Sequence, residues 1–266
     1  AMVKKSGLLE LIDTPASLND IGGLDVLKDY LLNKSRVIAD LPKAIDFGVS
    51  IPKGVFIVGM PGCGKSLCAK ASAALFNTPL LKLDMGSMMG KYVGESEGNL
   101  RKAIKIAEAA APCVLWIDEI EKAFSGVDGN NDIMTRMFGY FLSWMQEKKS
   151  CVYVIATANK IKDLPLELKR KGRFDEIFCV NLPNKEERKK IFKIHIGKKN
   201  KSLDEAALNS VCQITEGFNG ADIESVVNEA MEKCFIDSLD NKGTAFDGKL
   251  FKDIASKTIS ISESDK

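Results

Sequence analysis

Eight consecutive residues, Gly59-Met60-Pro61-Gly62-Cys63-Gly64-Lys65-Ser66, satisfy the spacing G-x-x-x-x-G-K-[S/T] without a mismatch. Few folds accommodate such a segment. Glycines let the backbone curl with its N–H groups facing an anion, and a helix placed next adds about half a positive charge at its N-terminus. The loop therefore needs a buried strand before it and a helix after it. Both are legible: Val55-Phe56-Ile57-Val58 is an apolar run of strand length, and Leu67–Leu75 has a helical pattern. The chemistry implied is binding of a nucleotide through its phosphates. Backbone from Pro61 through Gly62, Cys63 and Gly64 to Leu67 surrounds the phosphates, Lys65 reaches the β/γ-phosphates as a point charge, and the Ser66 hydroxyl ligates Mg²⁺.

Around this loop the chain alternates between two patterns. Besides Val55–Gly59, the runs Leu80–Asp84, Cys113–Asp118, Val152–Ala156 and Glu176–Val180 are short and almost continuously apolar, as strands covered on both faces are. Helical patterns lie between them, at Gly98–Ala110 and Ile133–Glu147. In the latter, Met134, Met137, Phe138, Phe141, Leu142 and Met145 recur at helical spacing and read as core. The expected fold class is α/β, a P-loop-type parallel sheet sandwiched by helices. After Leu182-Pro183 the strands stop. Lys185–Ile196, Asp204–Cys212, Ala221–Phe235 and Asp247–Lys257 predict a small all-α domain. The expected organisation is a lead segment at 1–19, an α/β nucleotide-binding domain at 20–182, a helical domain at 183–259 and a frayed tail at 260–266.

Composition narrows the function. Basic residues number 38 against 36 acidic, a net charge of +2, so no global electrostatic argument favours a nucleic-acid or membrane partner. The basic run Lys185–Lys201 has no aromatic platform beside it and reads as the wet face of a helix. No apolar stretch reaches membrane-spanning length. Seven cysteines stand singly, which argues against a disulfide framework or zinc site and for a reducing compartment, cytoplasmic or like the plastid stroma. The chain opens on Ala1-Met2, so the natural protein is expected to extend further upstream.

Hydrolysis needs more than a phosphate cradle. Val114-Leu115-Trp116-Ile117-Asp118-Glu119 is an apolar strand ending in two carboxylates. Asp118 is placed to hold Mg²⁺ and Glu119 to polarise the attacking water. Another strand, Val152–Ala156, runs on to Asn159, whose amide suits a γ-phosphate or that water; an Asx-turn is its plain alternative. Arg170 and Arg173, three apart, present rigid guanidinium forks fitted to a transferring phosphoryl group; a solvated basic run is the alternative there.

The order of P-loop, strand plus Asp-Glu, strand plus Asn, and Arg170-Lys171-Gly172-Arg173-Phe174-Asp175 resembles the AAA-type ATPases over roughly Leu18 to Ile259. Within them it is most similar to AAA proteins encoded in algal plastid genomes and by cyanobacteria and other bacteria. The resemblance implies Mg-dependent ATP hydrolysis by a homo-oligomeric ring, a hexamer in the usual case, acting on an unknown protein client. It implies that Asp20, Ile21, Gly22 and Gly23 wrap the adenine, with His195 and Gly220-Ala221-Asp222 contacting base and ribose from the helical lid. Ala221 stands where some relatives carry a phosphate-sensing arginine. Arg170 and Arg173 would serve the neighbouring subunit's site, and Lys171 replaces the usual proline of that turn. Met89–Glu97 resembles a first pore loop, with Lys91, Tyr92 and Val93 as the substrate grip, and Ser125–Asp132 a second. Packing of Tyr92 on its own domain is the bland alternative. An ATP-gated scaffold that binds partners without threading is the competing function, and a nucleic-acid motor a weaker one.

Overall fold

The structure, a computed structural model, describes residues 7–13, 16–84, 95–123, 131–160, 166–170 and 172–260. These residues form two compact units. The first comprises Asp25–Gly59, Lys65–Val180 and the chain ahead of residue 19; the second comprises Asn19–Leu24, Met60–Gly64 and the chain from Asn181 onward.

The first unit is a sheet covered by helices. Its strands are β1 (Leu9–Ile12), β2 (Gly54–Gly59), β3 (Leu80–Leu83), β4 (Cys113–Ile117), β5 (Val152–Ala158) and β6 (Glu176–Val180), in the order β1-β3-β4-β5-β2-β6. Its helices are α1 (Asp25–Ala39), α2 (Leu41–Asp46), α3 (Lys65–Phe76), α4 (Glu95–Ala109) and α5 (Asn131–Glu147). All residues of β4 and β5 are buried, which explains why they read as unbroken apolar runs rather than alternating ones. Five residues of the stripe on α5 are core as expected: Met137, Phe138, Phe141, Leu142 and Met145 pack with Leu115, Ile117 and Val154 of the sheet, while the side chain of Met134 lies outside the described residues.

One strand was not anticipated. β1 pairs antiparallel with β3, Leu9 opposite Leu83 and Ile12 opposite Leu80, so the sheet is mixed rather than wholly parallel. Only Leu9 of its four residues is buried and Glu10 and Leu11 face solvent; so short an edge strand leaves no continuous apolar signature. Helices α1 and α2 likewise precede the first segment that the sequence pattern resolves. Tyr30 of α1 lies edge-on to Phe178 of β6 with ring centroids 5.1 Å apart, covering that edge of the sheet.

What positions chemistry is the adjacency of β4, β5 and β2. They run parallel, so their carboxyl ends emerge side by side and carry Asp118-Glu119, Asn159 and the glycine loop respectively. Such an edge is where open α/β sheets bind ligands.

The second unit is helical: α6 (Lys185–Gly197), α7 (Glu205–Ile214), α8 (Gly220–Leu239) and α9 (Gly248–Ala255). Each helix starts on an Asx side chain that accepts from the backbone N–H three residues on: Asn184 from Glu187, Asp204 from Ala207, Asn219 from Asp222 and Asp247 from Leu250. Asn184 and Asn219 complete reciprocal capping boxes. Phe192, Phe251, Val211, Ile223 and Val226 form the core of this unit.

Candidate nucleotide-binding and hydrolysis site

In the sheet unit the residues singled out by the sequence form one hydrogen-bonded chain. Lys65, buried at the start of α3, donates to the Gly59 carbonyl at 2.6 Å and to Asn159 Oδ1 at 3.0 Å. Asn159 Nδ2 donates in turn to Glu119 Oε1 at 2.9 Å. Only one orientation of the amide serves both partners, oxygen toward the ammonium and nitrogen toward the carboxylate. A side chain at the end of β5 therefore bridges the phosphate-binding cation and the candidate base.

Glu119 sits in a left-handed turn with φ of +48°, which faces its N–H toward β5 while its carboxylate meets Asn159. The other carboxylate oxygen pairs with Lys122 one helical turn on. Hydrogen bonding from Lys122, and then from Asn159, holds the Glu119 carboxyl below the usual range, so it is ionised and ready to accept a proton.

Asp118 faces a different set. Ser66 Oγ approaches Asp118 Oδ1 at 3.4 Å, and Thr157 Oγ1 donates to the same oxygen at 2.7 Å. Thr157 also accepts from the Glu119 N–H at 3.0 Å, fixing both acids from one buried hydroxyl. Lys82 on β3 lies 3.7 Å from Asp118 Oδ2 and 4.5 Å over the Trp116 ring. A hydroxyl and a carboxylate this close are the hard oxygen donors that Mg²⁺ prefers, so Ser66 and Asp118 fit the expected ion. Among the described residues no group of three or more His, Cys, Asp or Glu could hold a metal by itself. The remaining ligands would come from water and phosphate.

The middle of the glycine loop belongs with the helical unit. Gly62 and Gly64 have φ of +77° and +84°. Gly62 has no room for a side chain, since a Cβ there would lie 2.6 Å from the Asn219 amide. The Gly220 N–H donates to the Gly62 carbonyl at 3.0 Å, and Asn219 Nδ2 donates to Pro61 O at 3.1 Å. The start of α8 thus grips the loop by its carbonyls. Ala221 is exposed in that first turn. Asp20 pairs at 2.8 Å with Lys198, the residue that caps the end of α6, and Gly22 lies flat against Ile191 of α6, where any Cβ would collide. His195 lies 3.8 Å from Glu224, and burial lowers its pKa despite that carboxylate, so the ring is neutral at pH 7.

The arginine turn follows a short 3₁₀ segment, Leu166–Lys169. Arg170 is exposed, and Arg173 Nη1 donates to the Glu167 carbonyl of its own chain. Among the described residues, no ion pair joins either arginine to Asp118 or Glu119. Lys171, the first pore loop with Lys91, Tyr92 and Val93, and residues 125–130 of the second lie outside the described residues. Thr157, Lys82, Lys122 and Asn219 were missed by the sequence reading. The available signal was a hydroxyl or a charge inside an apolar strand for the first two.

Residues 55–182 match the family described as "ATPase family associated with various cellular activities (AAA)", and residues 205–245 match the AAA+ lid domain. This chain belongs to the AAA family. The AAA match takes in the glycine loop, both acids, Asn159 and both arginines. Among similar proteins, the "Uncharacterized AAA domain-containing protein ycf46" of Pyropia yezoensis is 46% identical over 237 residues, covering 88% of this chain and 48% of its own length. The protein of the same description from Guillardia theta is 46% identical, with 88% and 46% covered. The "ATP-dependent zinc metalloprotease FtsH 2" of Salinibacter ruber is 32% identical, with 85% of this chain and 34% of the relative covered. The AAA chain thus spans about half the length of the ycf46 proteins it matches.

Proposed function

We propose that this chain is a Mg²⁺-dependent ATPase that works as a homo-oligomeric ring, a hexamer, and spends ATP on remodelling or translocating a protein client. The observation that supports it most is the Lys65–Asn159–Glu119 chain beside the Ser66–Asp118 pair. In this reading Lys65 and the loop amides hold the β/γ-phosphates. Bound Mg²⁺ would neutralise phosphate charge; Ser66 and Asp118 would hold it. Glu119 accepts the proton of the attacking water, and Asn159 reports the γ-phosphate to Glu119 because it already touches both Lys65 and that base. On the helical unit, Asp20, Ile21, Gly22, His195, Gly220 and Ala221 serve the base and ribose; a neutral His195 suits contact with an uncharged adenine.

Arg170 and Arg173 act on a neighbouring subunit, a reading that follows the resemblance to AAA-type rings and suits the exposure of Arg170. An arginine of this kind is worth about 10³–10⁵ in rate. The rate per subunit is therefore expected to climb with protein concentration, and Glu119→Gln to bind ATP without turning it over. A rate that stays flat through the assembly range refutes action in trans; native turnover by Glu119→Gln refutes the role of that acid.

A protein client is supported by the resemblance to FtsH, but the zinc protease activity in that protein's name does not transfer to these residues. The chain contains a single histidine, whereas the zincin motif needs two. The ATP-gated scaffold remains the second reading: Tyr92→Ala should abolish client processing in a threading ring and leave partner binding intact in a scaffold. The reading places the protein in a reducing compartment, cytoplasm or plastid stroma; among the described residues no helix is long and apolar enough to cross a membrane.

A further inference from the structure

Lys53 stands immediately before β2, at the opposite end of that strand from the glycine loop. Its ammonium donates to the Gly172 carbonyl at 2.6 Å and to the Gln146 carbonyl at 2.9 Å. Gln146 lies in the last turn of α5, where carbonyls lack helical partners and carry partial negative charge that favours a cation. Gly172 is the left-handed residue, φ +95°, between Arg170 and Arg173.

The same strand end holds the turn a second time. Asp175 Oδ2 accepts from the Lys53 and Gly54 N–H groups at 3.0 and 3.2 Å, and the Asp175 N–H donates to the Gly54 carbonyl at 2.8 Å. Lys34 of α1 lies 3.5 Å from the same carboxylate, and Phe174 is buried with its ring 5.4 Å from that of Phe56. Asp175 and Phe174 anchor the descending side of the turn to the sheet. The Lys53 ammonium reaches the carbonyl at its bend, between the arginines.

We infer that Lys53 is a positioning residue for the arginine turn, holding Arg170 and Arg173 at the angle needed by the neighbouring subunit's site. A proline at position 171 would stiffen the turn from within by fixing φ. This chain has Lys171 there, and the ammonium of Lys53 supplies the restraint from outside. The inference rests on the proposed action of the arginines in trans.

The test uses Lys53→Met, which keeps the aliphatic stem and removes the donor. A small misplacement of a catalytic group costs up to about 10²-fold, so kcat is expected to fall about 10- to 10²-fold with KM for ATP changed less than about twofold. Lys53→Arg should retain most of the rate, because it can still donate to both carbonyls. Mixing supplies the decisive readout. A Lys53→Met subunit has an intact glycine loop and acids but a slack arginine turn, whereas Glu119→Gln has the reverse. Mixed rings should regain activity at sites where a Glu119→Gln subunit serves a Lys53→Met neighbour. Arg173→Ala mixed with Glu119→Gln is the reference pair. No recovery in the reference pair sinks the in-trans reading itself. Recovery there without recovery for Lys53→Met overturns the role of Lys53 alone, as does a loss expressed in KM. Should Lys53→Met fail to fold, by tryptophan fluorescence, Lys53→Gln takes its place in the same mixture.

Discussion

Lys148 offers a quantitative check of the sheet unit. It follows α5 and is only 8% exposed, with its ammonium donating to Val152 O at 2.7 Å and Pro52 O at 3.2 Å. Burial pushes its pKa down from 10.5 to about 8, against the pull of the Asp175 carboxylate. Between those two values the unfolded chain keeps the proton on Lys148 while the folded chain has released it. Stability therefore rises with pH through this window, and the cost of burying the charge is fully present below pH 8. Each pH unit of the window is worth about 1.4 kcal/mol, so the full effect is about 3 kcal/mol, of which about 2 falls between pH 7 and 9.5. Lys148→Met removes the titrating group and keeps most of the volume. Urea unfolding followed by Trp116 and Trp144, both in this unit, should show the wild-type minus Lys148→Met stability difference rising by about 2 kcal/mol over that range. The buried thiols Cys68 and Cys113, pushed up to about 12, titrate in both proteins and largely cancel. A difference that is flat or falls with pH refutes the assignment of a desolvated ammonium.

Two further outcomes follow from hydrogen bonds at the site. Thr157→Val keeps the shape of a fully buried residue but strips Asp118 and Glu119 of their shared hydroxyl. The Mg²⁺ needed for half-maximal binding of a fluorescent ATP analogue should rise about tenfold, the lower end for lost outer partners of a metal ligand; Thr157→Ser should stay near wild type, and an unchanged Mg²⁺ requirement in Thr157→Val would count against Asp118 as the ligand. Asn219→Ala loses the cap of α8 and the donor to Pro61 O, and should destabilise the helical unit by about 1 kcal/mol in urea unfolding followed by circular dichroism. Asn219→Ser restores the cap but not the donor, so it should recover stability while ADP affinity stays weakened in both; full recovery of affinity would show that the Pro61 contact is dispensable.

Legibility in the sequence tracked how local each signal was. The glycine loop, Asp118-Glu119 and Asn159 stand out because each ends an unbroken apolar run, and the parallel order of β4, β5 and β2 then brings them to one edge. Thr157 was hidden because a threonine inside β5 looks like any β-branched strand residue; its hydroxyl gains meaning only once β4 lies alongside. Lys53 and Gly172 are 119 residues apart, and no pattern along the chain announces that they touch. β1 escaped for the opposite reason: its partner strand was visible, but four residues with only Leu9 buried carry too little periodicity to claim the pairing. The left-handed geometry of Glu119 is likewise invisible, since nothing in Asp-Glu-Ile favours it.

That geometry carries an evolutionary consequence. A glutamate held at φ +48° costs about 1–2 kcal/mol that glycine would largely avoid and asparagine would reduce. The chain sustains this strain at the residue proposed as its base. Any selection for heat resistance alone should therefore drift toward Gly or Asn at position 119, raising the melting temperature while silencing turnover. A stabilised variant recovered from such a screen would be a well-folded, nucleotide-loaded and inert protein.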